Sequence, residues 1–400
     1  MQRPRFELPE ALEMEILSKL PVKSLTRFNY VCKYWCSSFQ TPHFISKHHH
    51  NNLNLLIKRY DSDIFQPYLS QLSTEEEESF LVKQDVYLPL FKNEVSVCGA
   101  SHGLLCLHDS STDKAAIWNP STREFKILPP SSVQRPSYLP CIKGYRTLND
   151  VSFHHIAFGF DSKTVDYKVI RFVTLTFDIS EEGEIYRDFE FPNVLQVELY
   201  SLRSDSWKEI PFPNYKPTYI ILGNNYIDGI SYWQTITGEY DGFREIILSF
   251  DLRNEKFSIL SIPEFVGYSP KYYISLLVFN GSLSVIFYLS KETYTSLDLW
   301  VTNDGVWTKQ FSIKSIPPFV HPLGFGENGK LLLISSKKEI FLVDPSTQEL
   351  KELEIMTYQD HFLLSISLHA YVESLIRING IQEPEEHIIC RLVGDASNKY

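Results

Sequence analysis

Cysteine and methionine are scarce: six Cys (positions 32, 36, 98, 106, 141 and 390) and three Met in 400 residues. The cysteines have no framework spacing, and a chain this long needs no covalent staples, so a reducing compartment is expected rather than a disulfide scaffold. No stretch approaches the roughly 18 apolar residues of a membrane span, and the opening MQRPRFELPE holds no apolar run for a signal peptide. The expected location is cytoplasmic, with the nucleus also open, and no membrane partner is expected. Positive charge is also short, with 38 Lys and Arg against 49 Asp and Glu, a net −11. The deficit is uneven: residues 1–60 carry nine Lys or Arg and four Glu, about +5, leaving about −16 on the remaining 340. Such an acidic surface repels phosphate backbones and draws in basic proteins, so nucleic acid is not an expected ligand.

Aromatic residues are plentiful, with 23 Tyr and 27 Phe, a composition that suits pleated faces. The chain should therefore be mainly β, with one helical exception at its start. Across 8–39, LPEALEMEILSKLPVKSLTRFNYVCKYWCSSF, Leu8, Leu12, Ile16 and Leu20 recur every four residues, and Leu17 widens the stripe. That spacing lines one helix face, which must be covered. Glu10, Glu13 and Glu15 sit early and Lys19 late, the order the helix dipole favours, and Pro21 stops the helix. Leu25, Phe28, Val31, Cys32, Trp35 and Phe39 form a second apolar stripe. Segments below about 40 residues usually need a metal, a disulfide or a partner, and here a partner is expected.

Leu8-Pro9-Glu10, Glu15-Ile16-Leu17, Leu20-Pro21-Val22-Lys23-Ser24-Leu25, Arg27-Phe28 and Val31-Cys32-Lys33-x-Trp35 together resemble an F-box. The resemblance implies binding to a Skp-type adaptor and, through it, to a cullin and RING ubiquitin ligase core. On that reading Leu8, Pro9, Ile16, Leu17, Leu20, Pro21, Leu25, Val31, Cys32 and Trp35 form the adaptor surface and its support. Asn29, Tyr34 and Cys36 stand where such motifs often carry other residues. The following polar stretch, 41–54, with His43, His48, His49 and His50, reads as a solvated hinge. Three successive histidines cannot all face one ion from a regular element, so no metal is expected there.

From residue 53 onward the sequence repeats. Polar turns NPSTREF (119–125), DSKTVDY (161–167), SLRSDSW (201–207), DLRNEKF (251–257), TNDGVW (302–307) and DPSTQEL (344–350) each end on a large apolar residue. Upstream, His102-Gly103, Asp228-Gly229, Asn280-Gly281 and Asn328-Gly329 supply the positive φ angles of two-residue hairpins. Each unit reads strand, glycine turn, strand, longer loop, strand, polar turn, strand. Four-stranded sheets repeated about six times predict a kelch-like β-propeller, with a stacked β-sandwich as the alternative. The paired glycines of true kelch repeats are absent, which leaves blade count and closure open. The expected organisation is F-box 1–45, linker 46–52, F-box-associated propeller 53–380 and C-terminal tail 381–400.

The repeat region also resembles a family. His102-Gly103-Leu104-Leu105-Cys106-Leu107, the Trp118 to Phe125 run WNPSTREF, Phe158-Gly159-Phe160-Asp161 with Asp166-Tyr167-Lys168-Val169, and Ser206-Trp207-Lys208 are similar to the F-box-associated domain of plant F-box proteins. Tyr371-Val372-Glu373-Ser374-Leu375 is similar to the C-terminal end of S-locus F-box proteins. That resemblance implies recognition of non-self pistil ribonucleases (S-RNases), which are basic, in self-incompatibility.

Catalytic signals are weak. Gly324, Gly326 and Gly329 spell GxGxxG, but Lys330 continues as strand where a dinucleotide site needs a helix, so a hairpin is expected and no cofactor. Cys32 and Cys36 lack a second pair at zinc spacing and read as buried small residues. His108-Asp109, His154-His155, Asp161 and Asp166 read as strand ends and turn formers, without a nucleophile beside them. The expected role is a non-catalytic ligase subunit that recruits a protein substrate. A general plant F-box receptor for another substrate and a non-degradative scaffold are the alternatives. Substrate contacts are expected on the loops at 129–150, 176–193 and 235–243. The second carries Asp178, Glu181, Glu182, Glu184, Asp188 and Glu190 against one Arg187, suited to a basic partner.

Overall fold

The computed structural model describes residues 8–39, 41–51, 53–61, 66–72, 82–88, 95–141, 144–177, 194–212, 219–220, 225–237, 244–263, 273–290, 295–316, 319–326, 329–335, 337, 339–353, 355, 366–378 and 381–382. Four helices come first: α1 (Glu10–Ser18), α2 (Val22–Phe28), α3 (Lys33–Ser38) and α4 (Pro42–Asn51). Pro9 and Pro21 immediately precede α1 and α2 in extended conformation, and their carbonyls accept the first helical amides, from Leu12 at 2.9 Å and Ser24 at 2.9 Å. Proline fits there because it lacks only a donor that no helix start can use. The helix α4 corrects the expectation of a solvated hinge. Residues 42–51 are helical because Phe44 and His48 turn inward, onto a core made by Leu17, Leu25 and Phe39.

The rest is six antiparallel sheets. Blade 1 contains β1 (Leu53–Asp61), β2 (Gln66–Leu72) and β3 (Val82–Tyr87); blade 2 contains β4 (Val95–Ser101), β5 (Leu104–Asp109), β6 (Lys114–Asn119) and β7 (Glu124–Ile127). Blade 3 joins β8 (Tyr138–Cys141), β9 (Gly144–Asp161), β10 (Asp166–Phe177), β11 (Val194–Ser201) and β12 (Ser206–Ile210). Blade 4 holds β13 (Tyr219–Ile220), β14 (Asn225–Ile227), β15 (Ile230–Thr237), β16 (Arg244–Asp251) and β17 (Lys256–Ser261). Blade 5 runs β18 (Tyr273–Phe279), β19 (Ser282–Ser290), β20 (Thr295–Asn303) and β21 (Val306–Ile316). Blade 6 runs β22 (Phe319–Phe325), β23 (Leu331–Ser335), β24 (Ile340–Val343) and β25 (Leu350–Leu353).

The ring is closed. The strand β26 (Leu368–Val372) pairs antiparallel with β1, from Leu53 opposite Val372 to Ile57 opposite Leu368, so blade 1 is shared by both ends of the chain. Beyond it, β27 (Ile381–Gln382) adds to the outer edge of blade 2, Ile381 opposite Phe125. The first two residues of the expected tail are therefore part of a sheet. Apolar clusters fill every blade-to-blade seam, including that between blades 1 and 6 (Leu55, Ile57, Leu332, Ile334) and that between 1 and 2 (Leu56, Leu69, Leu105, Trp118). A stacked sandwich would have two packed faces rather than six cyclic seams.

One turn stencil recurs. Asp109, Asn119, Asp161, Asp251 and Asp344 each accept the backbone N–H two residues on, at 2.8 or 2.9 Å. Four residues after each, Asp113, Arg123, Val165, Glu255 and Gln348 have φ between 53° and 60°. Left-handed backbone costs a non-glycine residue roughly 1 kcal/mol or more, which the repeated side-chain clamp offsets. The GxGxxG sequence forms a hairpin: Gly329 donates to Gly326 O at 3.0 Å and Gly326 to Lys330 O at 2.9 Å.

Candidate functional site

The helical domain has an inside and an unpartnered outside. Leu17, Leu25, Phe39 and Phe44 are buried, with Met14, Leu20, Phe28 and Trp35 packed on them. Trp35 is held across the domain by its indole N–H, which donates to Glu13 Oε1 at 2.5 Å, and the Tyr34 hydroxyl bonds Glu10. By contrast Leu8 (58% exposed), Leu12 (47%), Ile16 (47%), Val31 (62%) and Tyr30 (88%) face outward. Of the stripe expected to be covered, Leu8, Leu12 and Ile16 are thus bare in the chain by itself, whereas Leu20 is half-buried and Leu17 lies in the core.

Among the ten predicted adaptor residues, Leu8, Pro9, Ile16, Pro21, Val31 and Cys32 are exposed and Leu20 and Trp35 half-buried. Leu17 and Leu25 lie inside and support the face without belonging to it. Cys32 is not the buried residue expected: it is exposed and its sulfur caps α3, accepting from Trp35 N at 3.4 Å, while Cys36 is half-buried. Tyr30 and Tyr34, absent from the predicted set, widen the outward apolar surface; only the spacing of Tyr30, Val31 and Tyr34 could have signalled this.

Three sequence motifs far apart in the chain meet where the helices join the propeller. The Asn119 side-chain amide donates to Ser374 O at 3.0 Å and Ile376 O at 2.8 Å, Ser121 Oγ lies 2.6 Å from the Tyr371 hydroxyl, and Ser374 N donates to Ser121 Oγ at 3.1 Å. Gly103 stands against them with φ +79°; a Cβ there would lie 2.3 Å from both Ser374 Cβ and Val372 O. On the other side Glu373 Oε2 accepts from Val22 N at 2.8 Å, and Leu375 packs on the helical core. The 371–375 segment therefore ties ring closure to the helices.

Blade 3 reaches beyond its neighbours. The strands β9 and β10 run 18 and 12 residues, and their far ends carry a small cluster of Val173, Leu175 and Phe177 with Leu148, Val151, Phe153 and Val194. At its root Glu198 is buried between two arginines: Arg171 Nη2 and Arg135 Nη1 each lie 2.8 Å from its carboxylate. The Arg171 guanidinium is sandwiched 3.9 Å from the Phe153 and Trp207 rings. Residues 138–150, expected as loop, are largely the β8–β9 hairpin, because each strand finds a partner edge on this extension. In antiparallel alternation, the ends of β10 and β11 that flank 178–193 lie opposite the end of β26 that meets the helices. Asp178, Glu181, Glu182, Glu184, Asp188 and Glu190 themselves fall outside the described residues, as do 238–243.

The remaining acid–base candidates are structural. Asp161, buried yet held at about 2, would be pushed up by burial but is pulled down further by Lys168 Nζ at 2.7 Å and by Thr164 and Lys163. Lys168 also reaches Glu255 at 3.0 Å and Leu252 O at 2.9 Å, bolting blade 3 to blade 4. Asp166 accepts from Ser201 Oγ and Arg203 N. Burial pushes His108 and His155 down to about 4. Among the described residues no group of three or more His, Cys, Asp or Glu could hold a metal, and no helix is long and apolar enough to cross a membrane.

Residues 53–374 match the F-box associated beta propeller domain family, and residues 6–47 match the F-box domain. Similar curated proteins include F-box protein CPR1 of Arabidopsis thaliana, 26% identical over 87% of this chain and 84% of that protein. F-box protein At4g19940 of the same plant is 25% identical over 91% and 90%, and F-box/kelch-repeat protein At3g23880 is 24% identical over 82% and 85%. With both domains matched over most of its length, the chain belongs to the plant F-box proteins that carry an F-box associated β-propeller.

Proposed function

We propose that the chain is the substrate-recognition subunit of a Skp-cullin-F-box ubiquitin ligase. The observation that carries this is the exposed row of Leu8, Leu12, Ile16 and Val31 on a helical domain whose own core is already filled by Leu17, Leu25, Phe39 and Phe44. An apolar row left bare beside a complete core is a docking surface for another protein, and a Skp-type adaptor is the partner an F-box implies. The chain performs no chemistry. It tethers a substrate near the ligase core, so that a bimolecular transfer becomes a local one.

The substrate side is the face away from the helices, where blade 3 extends; Asp178, Glu181, Glu182, Glu184, Asp188 and Glu190 follow β10 and precede β11 in the sequence, outside the described residues. With about −16 on residues 61–400, a basic protein is the fitting substrate, attracted chiefly through its encounter rate. Basic pistil ribonucleases are the finest form of this reading, resting on the resemblance of 371–375. A cytoplasmic or nuclear ligase is the setting. The test is affinity purification of the intact chain from its native tissue beside a Leu12→Asp/Ile16→Asp variant. Adaptor, cullin and ubiquitinated prey recovered only with the intact chain support the proposal; equal recovery of the adaptor by both sinks it.

A further inference from the structure

We infer that Glu373 and Leu375 fix the angle between the F-box and the propeller, and that this angle restricts which lysines accept ubiquitin. The inference rests on the receptor reading above. Among the described residues the helical domain is joined to the propeller at two places. One is covalent, where α4 ends at Asn51 and β1 begins at Leu53, leaving a single residue between them. The other lies on the adjacent strand: β26 pairs with β1 through Leu53 and Val372, and the next residue, Glu373, binds the F-box.

Glu373 takes the amide of Val22, the first residue of α2 and one of the donors no helix can satisfy internally. Leu375 inserts beside Leu17, Leu25, Phe39 and Phe44. Between them Ser374 is fully buried and tied to blade 2 through Asn119 and Ser121, so both contacts spring from a segment hydrogen-bonded to the propeller. Inside the F-box, buried His48 sits 3.0 Å from Leu20 O and stiffens the α1–α2 corner that Glu373 grips. One tether would let the F-box swivel. Two neighbouring attachments remove the hinge, so the adaptor and the propeller move as one body.

In the transfer, a lysine ε-amine attacks the carbonyl of the ubiquitin thioester carried by the ligase. The isopeptide C–N bond forms, the C–S bond breaks, and the thiol leaves with the amine's proton. A fixed angle exposes only part of the surface to that thioester. Glu373 and Leu375 are thus positioning residues, remote from the reacting atoms.

The test compares the wild-type full chain with Glu373→Ala/Leu375→Ala and with the conservative Glu373→Gln, which keeps an acceptor oxygen. Small-angle scattering is read on each chain alone. Adaptor affinity is then measured, and the chain's own ubiquitinated lysines are mapped in a reconstituted ligase. The double variant should bind adaptor within about twofold of wild type, scatter as a broader distribution of shapes, and spread modification from a restricted set of lysines to most exposed ones; Glu373→Gln should behave as wild type. Scattering and lysine patterns of the double variant that superpose on wild type would overturn the inference. Failure of the wild type to bind any Skp-type adaptor would overturn the receptor reading instead, and the scattering would still decide the fixed angle.

Discussion

Asn119 and Ser374, 255 positions apart, share a fully buried hydrogen bond of 3.0 Å, and through it the second blade holds the segment that follows the closing strand. The same Asn119 side chain accepts the amides of Ser121 and Thr122. Its amide group is thus saturated on both ends. Asn119→Ala should leave buried carbonyls and amides unpaired and cost about 2–4 kcal/mol. Urea unfolding measures the loss, and hydrogen exchange should rise first across 368–378.

Gly103 and Gly281 offer a controlled pair. Both have strongly positive φ, +79° and +75°, but a Cβ at Gly281 meets nothing within 4 Å. Gly281→Ala should cost only the backbone strain, about 1 kcal/mol, whereas Gly103→Ala should cost roughly 1–3 kcal/mol more by driving into Ser374 and Val372. Equal destabilisation in thermal unfolding would remove the close approach as the reason for this glycine.

Glu198 is the only carboxylate described between Arg135 and Arg171, and it is wholly buried. Glu198→Ala leaves the Arg171 charge buried without its counter-ion and should cost about 3–5 kcal/mol. Glu198→Ala/Arg171→Met should recover a large part of that, since the more deeply buried guanidinium goes with its counter-ion and only Arg135, partly open to solvent, is left without one. Chemical denaturation of the single and double variants decides.

Adaptor binding and folding should separate within the F-box. Ile16→Asp, on the exposed row, should leave the melting temperature unchanged and weaken adaptor binding at least tenfold. Leu25→Ala, in the filled core, should instead destabilise the domain by about 2–5 kcal/mol. Calorimetric titration and thermal melts of both variants distinguish the two roles.

Stability should fall on mild acidification. Burial pushes His108, His155 and His369 down to about 4, whereas an unfolded histidine titrates near 6.5. Between those values the unfolded chain binds more protons, so stability is full above about 6.5 and is lost as pH falls toward 4. Each histidine contributes a slope of at most about 1.4 kcal/mol per pH unit. Urea midpoints at pH 7.5, 6.0 and 5.0 measure it, and replacing His108 with Asn should flatten the curve.

Much of the ring is legible locally. Asp228-Gly229 and Asn280-Gly281 demand positive φ and so mark hairpins wherever they occur, and polar runs such as NPSTREF and DLRNEKF mark the turns whose leading Asn or Asp caps the amide two residues on. Closure is not local: nothing in Leu53 to Ile57 names Leu368 to Val372 as its partner. The helix α4 escaped because its polar run is helical only by docking Phe44 and His48 on other helices. The stripe of Leu8, Leu12 and Ile16 was legible as a surface needing cover, but the inward positions of Leu17 and Leu25 depend on how α1 and α2 cross. The 371–375 motif, legible only as a family resemblance, proves to be wired to Asn119, Ser121 and Val22.

Because blade 1 is completed by β26, a ribosome makes its first three strands long before its fourth. At the usual pace of synthesis, α1 to α4 emerge on the order of tens of seconds ahead of Glu373 and Leu375. During that interval the nascent polypeptide can already engage an adaptor while its platform is an open, sticky arc. A prematurely terminated product would keep that ability permanently and would compete with full-length subunits for the ligase, delivering nothing.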